Sequence, residues 1–380
     1  MASVTVADPI AALPGIDAHP HARAVLLAGL PPRGHPSHAY LFHGPAGTGK
    51  RTIARAFATA LLAEGAEDAG RVAERIARGS HPDLTWVSPS GASEMLVSDI
   101  EEPVVAAATR TPFESSRRVF VIEGVHAMNE QAANRMLKTL EEPPAFVHLL
   151  LLSDRREDVL ATVASRCQQV RFDPLPPARI AQGLEGVAPE RARACAALAL
   201  GDAHLAARLA GEEGDVLRGR AEALVRSALA GQTQKRPWMA LLEAAKAAGA
   251  AAGEGEQERM AAELELLPSR ERKRHEREGA EARRRGERRV RTQTLDLALR
   301  LGELWLRDVL CLCERAGELV YAVDRRSELE EDAREHEGDG GRVGRGMELV
   351  AETRLALGLN VSEELALEAL AYRLQALLAR

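Results

Sequence analysis

Ala39-Tyr40-Leu41-Phe42-His43 runs straight into Gly44-Pro45-Ala46-Gly47-Thr48-Gly49-Lys50, and a helical pattern opens at Lys50 and continues to about Leu62. A short apolar strand, a glycine-rich turn and a helix, in that order, are the context that a phosphate-binding loop requires. The glycines let backbone N–H groups converge on phosphate oxygens, the helix N-terminus adds positive potential, and the Lys50 ammonium supplies a point charge. Gly44, Gly47, Thr48, Gly49 and Lys50 are therefore candidate nucleotide-binding residues on an α/β scaffold.

Two positions depart from a working site. Arg51 stands where a Ser or Thr hydroxyl would hold Mg²⁺, and a guanidinium cannot ligate a cation. Thr52 comes one residue later, roughly 100° further round the helix, and would serve only if the loop shifted. The apolar run Val119-Phe120-Val121-Ile122 ends in Glu123-Gly124, where an Asp for the metal and a Glu to activate water belong. Glu123 keeps a carboxylate within the pattern, but Gly124 has no side chain to act as a base. Loss of a general base costs on the order of 10² to 10⁴ in rate. The expectation is a degenerate site: no hydrolysis, ATP binding weak or absent, and Mg²⁺ present only if nucleotide binds.

Working outward, short apolar runs alternate with helical patterns up to about residue 173, as in a parallel α/β sheet. Further strands are expected at Leu84 to Val87, Val119 to Ile122, Val147 to Leu152 and Gln169 to Phe172. Ser98 and Glu101 have capping-box spacing and would start a helix toward Thr109, and Asn129 can cap a helix that ends before Pro143-Pro144. Pro174-Leu175-Pro176-Pro177 marks a boundary. Beyond it, patterns broken by Gly183, Gly186 and Gly201 leave room for a small helical domain. The remainder reads as helical, with polar breaks near Gly231, Gly253 and Gly338 to Gly346. Leu295, Leu299, Trp305, Leu306, Val309 and Leu310 fall at helical spacing and read as core. Ser362, followed by Glu363 and Glu364, caps a final amphipathic helix to Leu378.

Composition narrows the function classes. A chain of 380 residues is too long for one ordinary core. A net charge of -6 excludes a polyanion binder acting through the whole chain, leaving only local patches. One such patch is Arg270 to Arg291, with eleven Arg or Lys against five Glu. It reads first as a long solvated helix with i,i+4 ion pairs and second as a contact to DNA phosphates. The stretch lacks aromatic residues for base stacking. Cys167, Cys195, Cys311 and Cys313 form no CxxC pair, so no metal site and no zinc are expected, and reduced thiols in a cytoplasm are the default. The longest apolar stretch, around Phe146 to Leu152, falls well short of the about 20 residues that span a bilayer. Met1 to Leu13 lacks the basic start and long apolar core of a leader.

Three stretches together resemble a known family. Ser37 to Pro45 resembles the entry to the phosphate loop of bacterial clamp-loader subunits of the AAA+ class. Asn129 to Pro144, reading NEQAANRMLKTLEEPP, resembles the helix that follows the acidic strand there, and Ser165-Arg166-Cys167 matches the family's SRC motif. The resemblance covers roughly residues 35 to 172. Motor subunits of the gamma/tau type resemble one another in an intact loop threonine, an intact Asp-Glu pair, a cysteine-rich zinc module and a nucleotide-sensing lid arginine. Here Arg51, Glu123-Gly124, the lack of cysteine between Lys50 and Arg166, and His204 at the lid position all point to the delta-prime branch of DNA polymerase III.

The resemblance implies an AAA+ domain over 1–173, a small helical lid over 174–213 and a helical collar over 214–380 carrying the charged helix around 254–291. It implies partners, the gamma/tau and delta subunits, with the sliding clamp and primed DNA reached through the complex and no membrane contact. It also implies a role for Arg166: an arginine finger reaching, in trans, the γ-phosphate held by a neighbouring ATPase, in a cytoplasmic hetero-oligomer for DNA replication. Read alone, Arg166 is first a surface salt-bridge residue, Cys167 a packing residue, and Arg135 and Lys138 solvated helix charges. Two rival functions are an ATP-hydrolysing gamma/tau-type motor using Thr52 and Glu123, and a stand-alone DNA-binding AAA+ protein acting through Arg270 to Arg291.

Overall fold

A computed structural model describes residues 13–30, 34–90, 94–266, 269–359 and 361–379; the side chains at 256, 258, 259, 261–278 and 282 are not among those described. Residues 1–12, most of the stretch read for a leader, therefore lie outside the described residues, as do the side chains at 270–278 of the basic stretch. The chain divides into two compact units, Met1–Leu175 and Pro176–Arg380.

The first unit runs α1 (Pro20–Gly29), β1 (Ala39–His43), α2 (Lys50–Leu62), α3 (Ala69–Ala77), β2 (Leu84–Val87), α4 (Val97–Ile100), β3 (Arg118–Ile122), α5 (Glu130–Glu141), β4 (Val147–Ser153), α6 (Ala161–Ala164) and β5 (Gln168–Arg171). All pairings are parallel, in the order β2-β3-β4-β1-β5. This is the parallel α/β sheet with flanking helices that the AAA+ resemblance implied. Period-2 alternation sends each strand's apolar residues to two opposite faces. Leu41, Phe120, Ile122, Leu149 and Leu151 pack with Ala132, Ala133 and Met136 of α5 on one face. Tyr40, Phe42, Val119, Val121, Leu150 and Leu152 pack with Ile53, Phe57 and Leu61 of α2 on the other. The central strands β1, β3 and β4 thus carry the apolar runs by which they were recognisable.

The expected helix start at Ser98 is corrected. The N-cap is Leu96, and the Asp99 carboxylate accepts the Leu96 N–H at 2.8 Å. The helix then widens into a π-helical segment, Glu101–Ala106, that contains Pro103. Proline lacks the N–H for an i→i−4 bond and crowds the preceding turn, so the wider winding accommodates it. Asn129 does cap α5, accepting the Ala132 N–H at 2.9 Å.

The edges of β1 and β4 meet at a pair of stacked imidazoles. His38 and His148 lie with ring centroids 5.6 Å apart, each bonded through Nδ1 to a backbone carbonyl, Val147 and Ser37 respectively. His148 is buried, and burial lowers its pKa to about 4; nearby Arg117 and His38 push the same way, against the hydrogen bond to Ser37. The unfolded chain therefore binds this proton more readily than the folded one. Stability from this site is present above pH about 6.5 and is lost as pH falls toward 4, by up to about 3 kcal/mol. Denaturant titrations at pH 7, 5.5 and 4 should show that H148N has a shallower acid dependence than the parent chain.

The second unit is helical: α7 (Pro177–Gln182), α8 (Pro189–Leu198), α9 (Ala203–Ala210), α10 (Glu212–Leu229), α11 (Trp238–Leu266), α12 (Ser269–Cys313), α13 (Arg326–Glu335), α14 (Gly340–Gly358) and α15 (Glu363–Leu378). One apolar cluster joins Cys195, Leu198 and Leu209 of α8 and α9 to Leu295, Leu299, Trp305, Leu306 and Val309 of α12 and to Leu367, Leu370 and Leu374 of α15.

One expected break is absent and another is shorter than expected: the chain does break between α13 and α14, where Gly338 takes positive φ. Gly253 lies inside α11, and Gly340 to Gly346 lie inside α14. At Gly253 a Cβ would meet Glu287 Oε1 of α12 at 2.2 Å, so glycine serves close helix–helix approach there rather than a turn. The basic stretch is helical, and within it Arg283–Glu287 and Arg285–Glu281 form i,i+4 pairs. No helix among the described residues is long and apolar enough to cross a membrane.

Candidate functional site

The phosphate loop sits at the carboxyl end of β1. The sheet order places β4 between β1 and β3, so the residues leaving β1, β3 and β4 gather at one edge, where open parallel sheets bind ligands. Gly44, Gly47 and Gly49 all take positive φ, and Gly49 is the N-cap of α2. Thr48 is buried, and its hydroxyl donates to the Pro45 carbonyl at 2.9 Å. Lys50 is only 5% exposed. Its ammonium donates to the Gly44 carbonyl at 2.7 Å and to the Pro45 carbonyl at 2.5 Å. A third partner, absent from the sequence reading, is the Asp154 carboxylate at 2.7 Å. Asp154 follows β4 directly; the only signal for it in the sequence is an acidic residue at the end of a buried strand.

Arg51 does not point away from the site. Its Nε lies 2.6 Å from Glu123 Oε1, joining the two altered positions in one ion pair. The same oxygen accepts the Trp86 indole N–H at 2.6 Å, and Ser88 Oγ donates to the other oxygen at 3.4 Å. Arg55, one turn on from Arg51, stacks on the Trp86 ring at 5.1 Å. Trp86 was not anticipated; it joins the site because β2 pairs with β3 in the register Trp86↔Val121. Thr52 is exposed on α2.

Gly124 has φ 64 and ψ 33, and a Cβ there would meet Pro89 Cγ at 2.9 Å. A glutamate at 124 would therefore face both a left-handed backbone and a blocked side-chain path. Mg²⁺ with a nucleotide does not fit this set of residues: the acidic ligand is held by a guanidinium, and the position for a base is closed.

Arg166 lies apart from the loop, after α6, with 35% of its side chain exposed. Its Nε and Nη2 donate to Glu141 Oε1 at 2.9 and 2.5 Å, and its Nη1 donates to the Thr162 carbonyl at 2.8 Å. Glu141 ends α5 just before Pro143-Pro144. Cys167 beside it is buried, its Sγ bonds to the Val163 carbonyl, and burial pushes its thiol up to about 12, so it packs and does not react. Lys138 is exposed on α5, and Arg135 pairs with Glu101 at 3.3 Å. His204 belongs to the second unit, exposed near the start of α9.

Residues 25–176 match the family model described as DNA polymerase III, delta subunit. This segment, less than half of the chain, is similar to that family. Over 149 residues the chain is 38% identical to DNA polymerase III subunit delta' of Pseudomonas aeruginosa, a match that spans 38% of this chain and 45% of that protein. Over 165 residues it is 37% identical to DNA polymerase III subunit delta' of Bacillus subtilis, spanning 41% and 49%. It is also 37% identical to DNA polymerase III subunit tau of Bacillus subtilis over 145 residues, but this covers 24% of that longer protein. The chain spans about half the length of the delta' relatives it matches.

Proposed function

We propose that this chain is the delta-prime-type subunit of a DNA polymerase III clamp loader, acting in the cytoplasm beside gamma/tau and delta subunits. In that assembly it helps place the sliding clamp on primed DNA. It lends Arg166 to the ATP held by its neighbour and does not turn over ATP itself. The observation that carries this reading is the coupled change at its own site. Arg51 and Glu123 pair with each other at 2.6 Å, and Arg166 is part-exposed on a surface partner that it can exchange. An exposed ion pair contributes about 0–1 kcal/mol, so a neighbour's phosphate can displace Glu141 from Arg166 at small cost.

The test is an omission experiment. Gamma/tau and delta subunits are mixed with clamp and primed DNA, with and without this chain. Clamp loading and DNA-stimulated ATP turnover are expected only in the complete mixture. Equal loading in both mixtures would end the proposal. Turnover by the isolated chain, abolished by K50A, would instead make it a motor subunit.

A further inference from the structure

The altered loop has more than lost its ligands; it has acquired substitutes. In a working site a phosphate oxygen lies on the lysine ammonium, and a divalent cation lies between the start of the loop helix and the acidic end of the neighbouring strand. Here a carboxylate oxygen of Asp154 lies 2.7 Å from the Lys50 ammonium, and the Arg51 guanidinium lies 2.6 Å from the Glu123 carboxylate. One anion and one cation, both from the chain itself, take the two positions that the two parts of a metal–nucleotide complex would fill.

We infer that this chain fills its own phosphate loop, with Asp154 standing for a phosphate oxygen and Arg51 for the divalent cation, so that the loop holds its loaded arrangement with no ligand and excludes Mg·ATP. The inference rests on the phosphate-loop geometry and not on the assembly proposed above.

Three observations support it. Lys50 is 5% exposed, and its donors are taken by two loop carbonyls, the Thr48 hydroxyl and Asp154, so the ammonium is fully engaged. Glu123 is 17% exposed and held from two sides, by Arg51 and by the Trp86 indole, whose ring is in turn covered by Arg55. The charges also oppose an incoming ligand twice over. A triphosphate approaching Lys50 meets the Asp154 carboxylate, and Mg²⁺ approaching Glu123 meets a guanidinium. Like charges brought together at a binding site disfavour the wrong ligand strongly.

The prediction separates this arrangement from a merely weakened site, because removing the substitutes should open the loop to a ligand. Isothermal titration calorimetry of the isolated full chain with Mg·ATP should show no saturable binding up to millimolar concentration. Its melting temperature should be the same with and without Mg·ATP. R51T combined with D154N should bind Mg·ATP saturably, on the order of 10²-fold or more tighter than the parent, and EDTA should abolish the gain.

D154N alone provides the second reading should the double variant fail to fold. With the anion removed and Arg51 retained, it should bind metal-free ATP at least about tenfold more tightly than the parent. Micromolar Mg·ATP binding by the parent chain would overturn the inference, as would a folded D154N, or a folded double variant, with no gain. None of these outcomes bears on Arg166, whose role is read in the reconstituted complex.

Discussion

R166A is expected to leave the isolated chain folded while slowing ATP cleavage at the neighbouring site of the reconstituted complex by about 10³-fold or more. An arginine supplied in trans is worth on the order of 10³ to 10⁵ in phosphoryl transfer, because it neutralises charge that develops on the transferring group. Nothing in the fold opposes the substitution. Arg166 is 35% exposed, and its contacts are an ion pair with Glu141, a bond to the Thr162 carbonyl and a long one to the Ser165 hydroxyl. The loss of stability should therefore stay within about 1 kcal/mol. If the proposed complex holds more than one ATP, steady-state turnover would be diluted by the sites that remain intact. Single-turnover cleavage, or clamp loading on primed DNA, reads the affected site directly.

R166K should recover little of this activity, since an ammonium cannot present the planar fork of a guanidinium to phosphate oxygens. E141Q offers a contrast, because it removes the charge that holds Arg166 in the free chain and leaves Arg166 itself intact. Single-turnover cleavage in an E141Q complex should equal or exceed that of the parent complex. An R166A complex that cleaves at the parental rate would remove the arginine-finger role altogether.

How legible each feature was in the sequence follows from where its cause lies. The sheet was readable almost to the residue, because strands buried on both faces must be continuously apolar; β4 was anticipated at Val147 to Leu152 and spans Val147–Ser153. The phosphate loop was readable because backbone conformation selects glycine at 44, 47 and 49. The pairing of Arg51 with Glu123 was not readable, since the two are 72 positions apart in the sequence and only the sheet order brings them together. Asp154 and Trp86 belong to no motif, and each reached the site through strand register alone. In the second unit the glycines misled. Gly253 and Gly346 look like breaks to a propensity argument, yet in the fold they are the points at which helices come close, Gly253 to α12 and Gly346 to Leu306 and Leu378.

The same difference between local pattern and long-range partner governs the largest stability effect expected of a single substitution. Arg218 on α10 is 1% exposed, and in the sequence it is one arginine among many. Its two terminal nitrogens each donate to Asp324 at 2.8 Å, and its Nε donates to Glu222 at 2.8 Å; Arg325 closes the network on Glu222 and Asp215. Removing one partner of a buried ion pair costs about 3–5 kcal/mol, because the other charge stays buried without compensation. R218M keeps most of the volume and deletes the charge, so equilibrium denaturation at pH 7 should show a loss of that size. The pH dependence identifies the cause. Burial already pushes the Glu222 carboxyl above the usual carboxylate range, against the opposing pull of Arg218 and Arg325, and R218M removes the larger of those pulls. A carboxyl whose pKa is raised by folding binds its proton more readily in the folded chain, so the variant gains stability as pH falls through that raised pKa. The gap between R218M and the parent should therefore narrow from pH 7 toward pH 5. A gap that stayed constant would point to lost packing of the arginine stem rather than to uncompensated carboxylates.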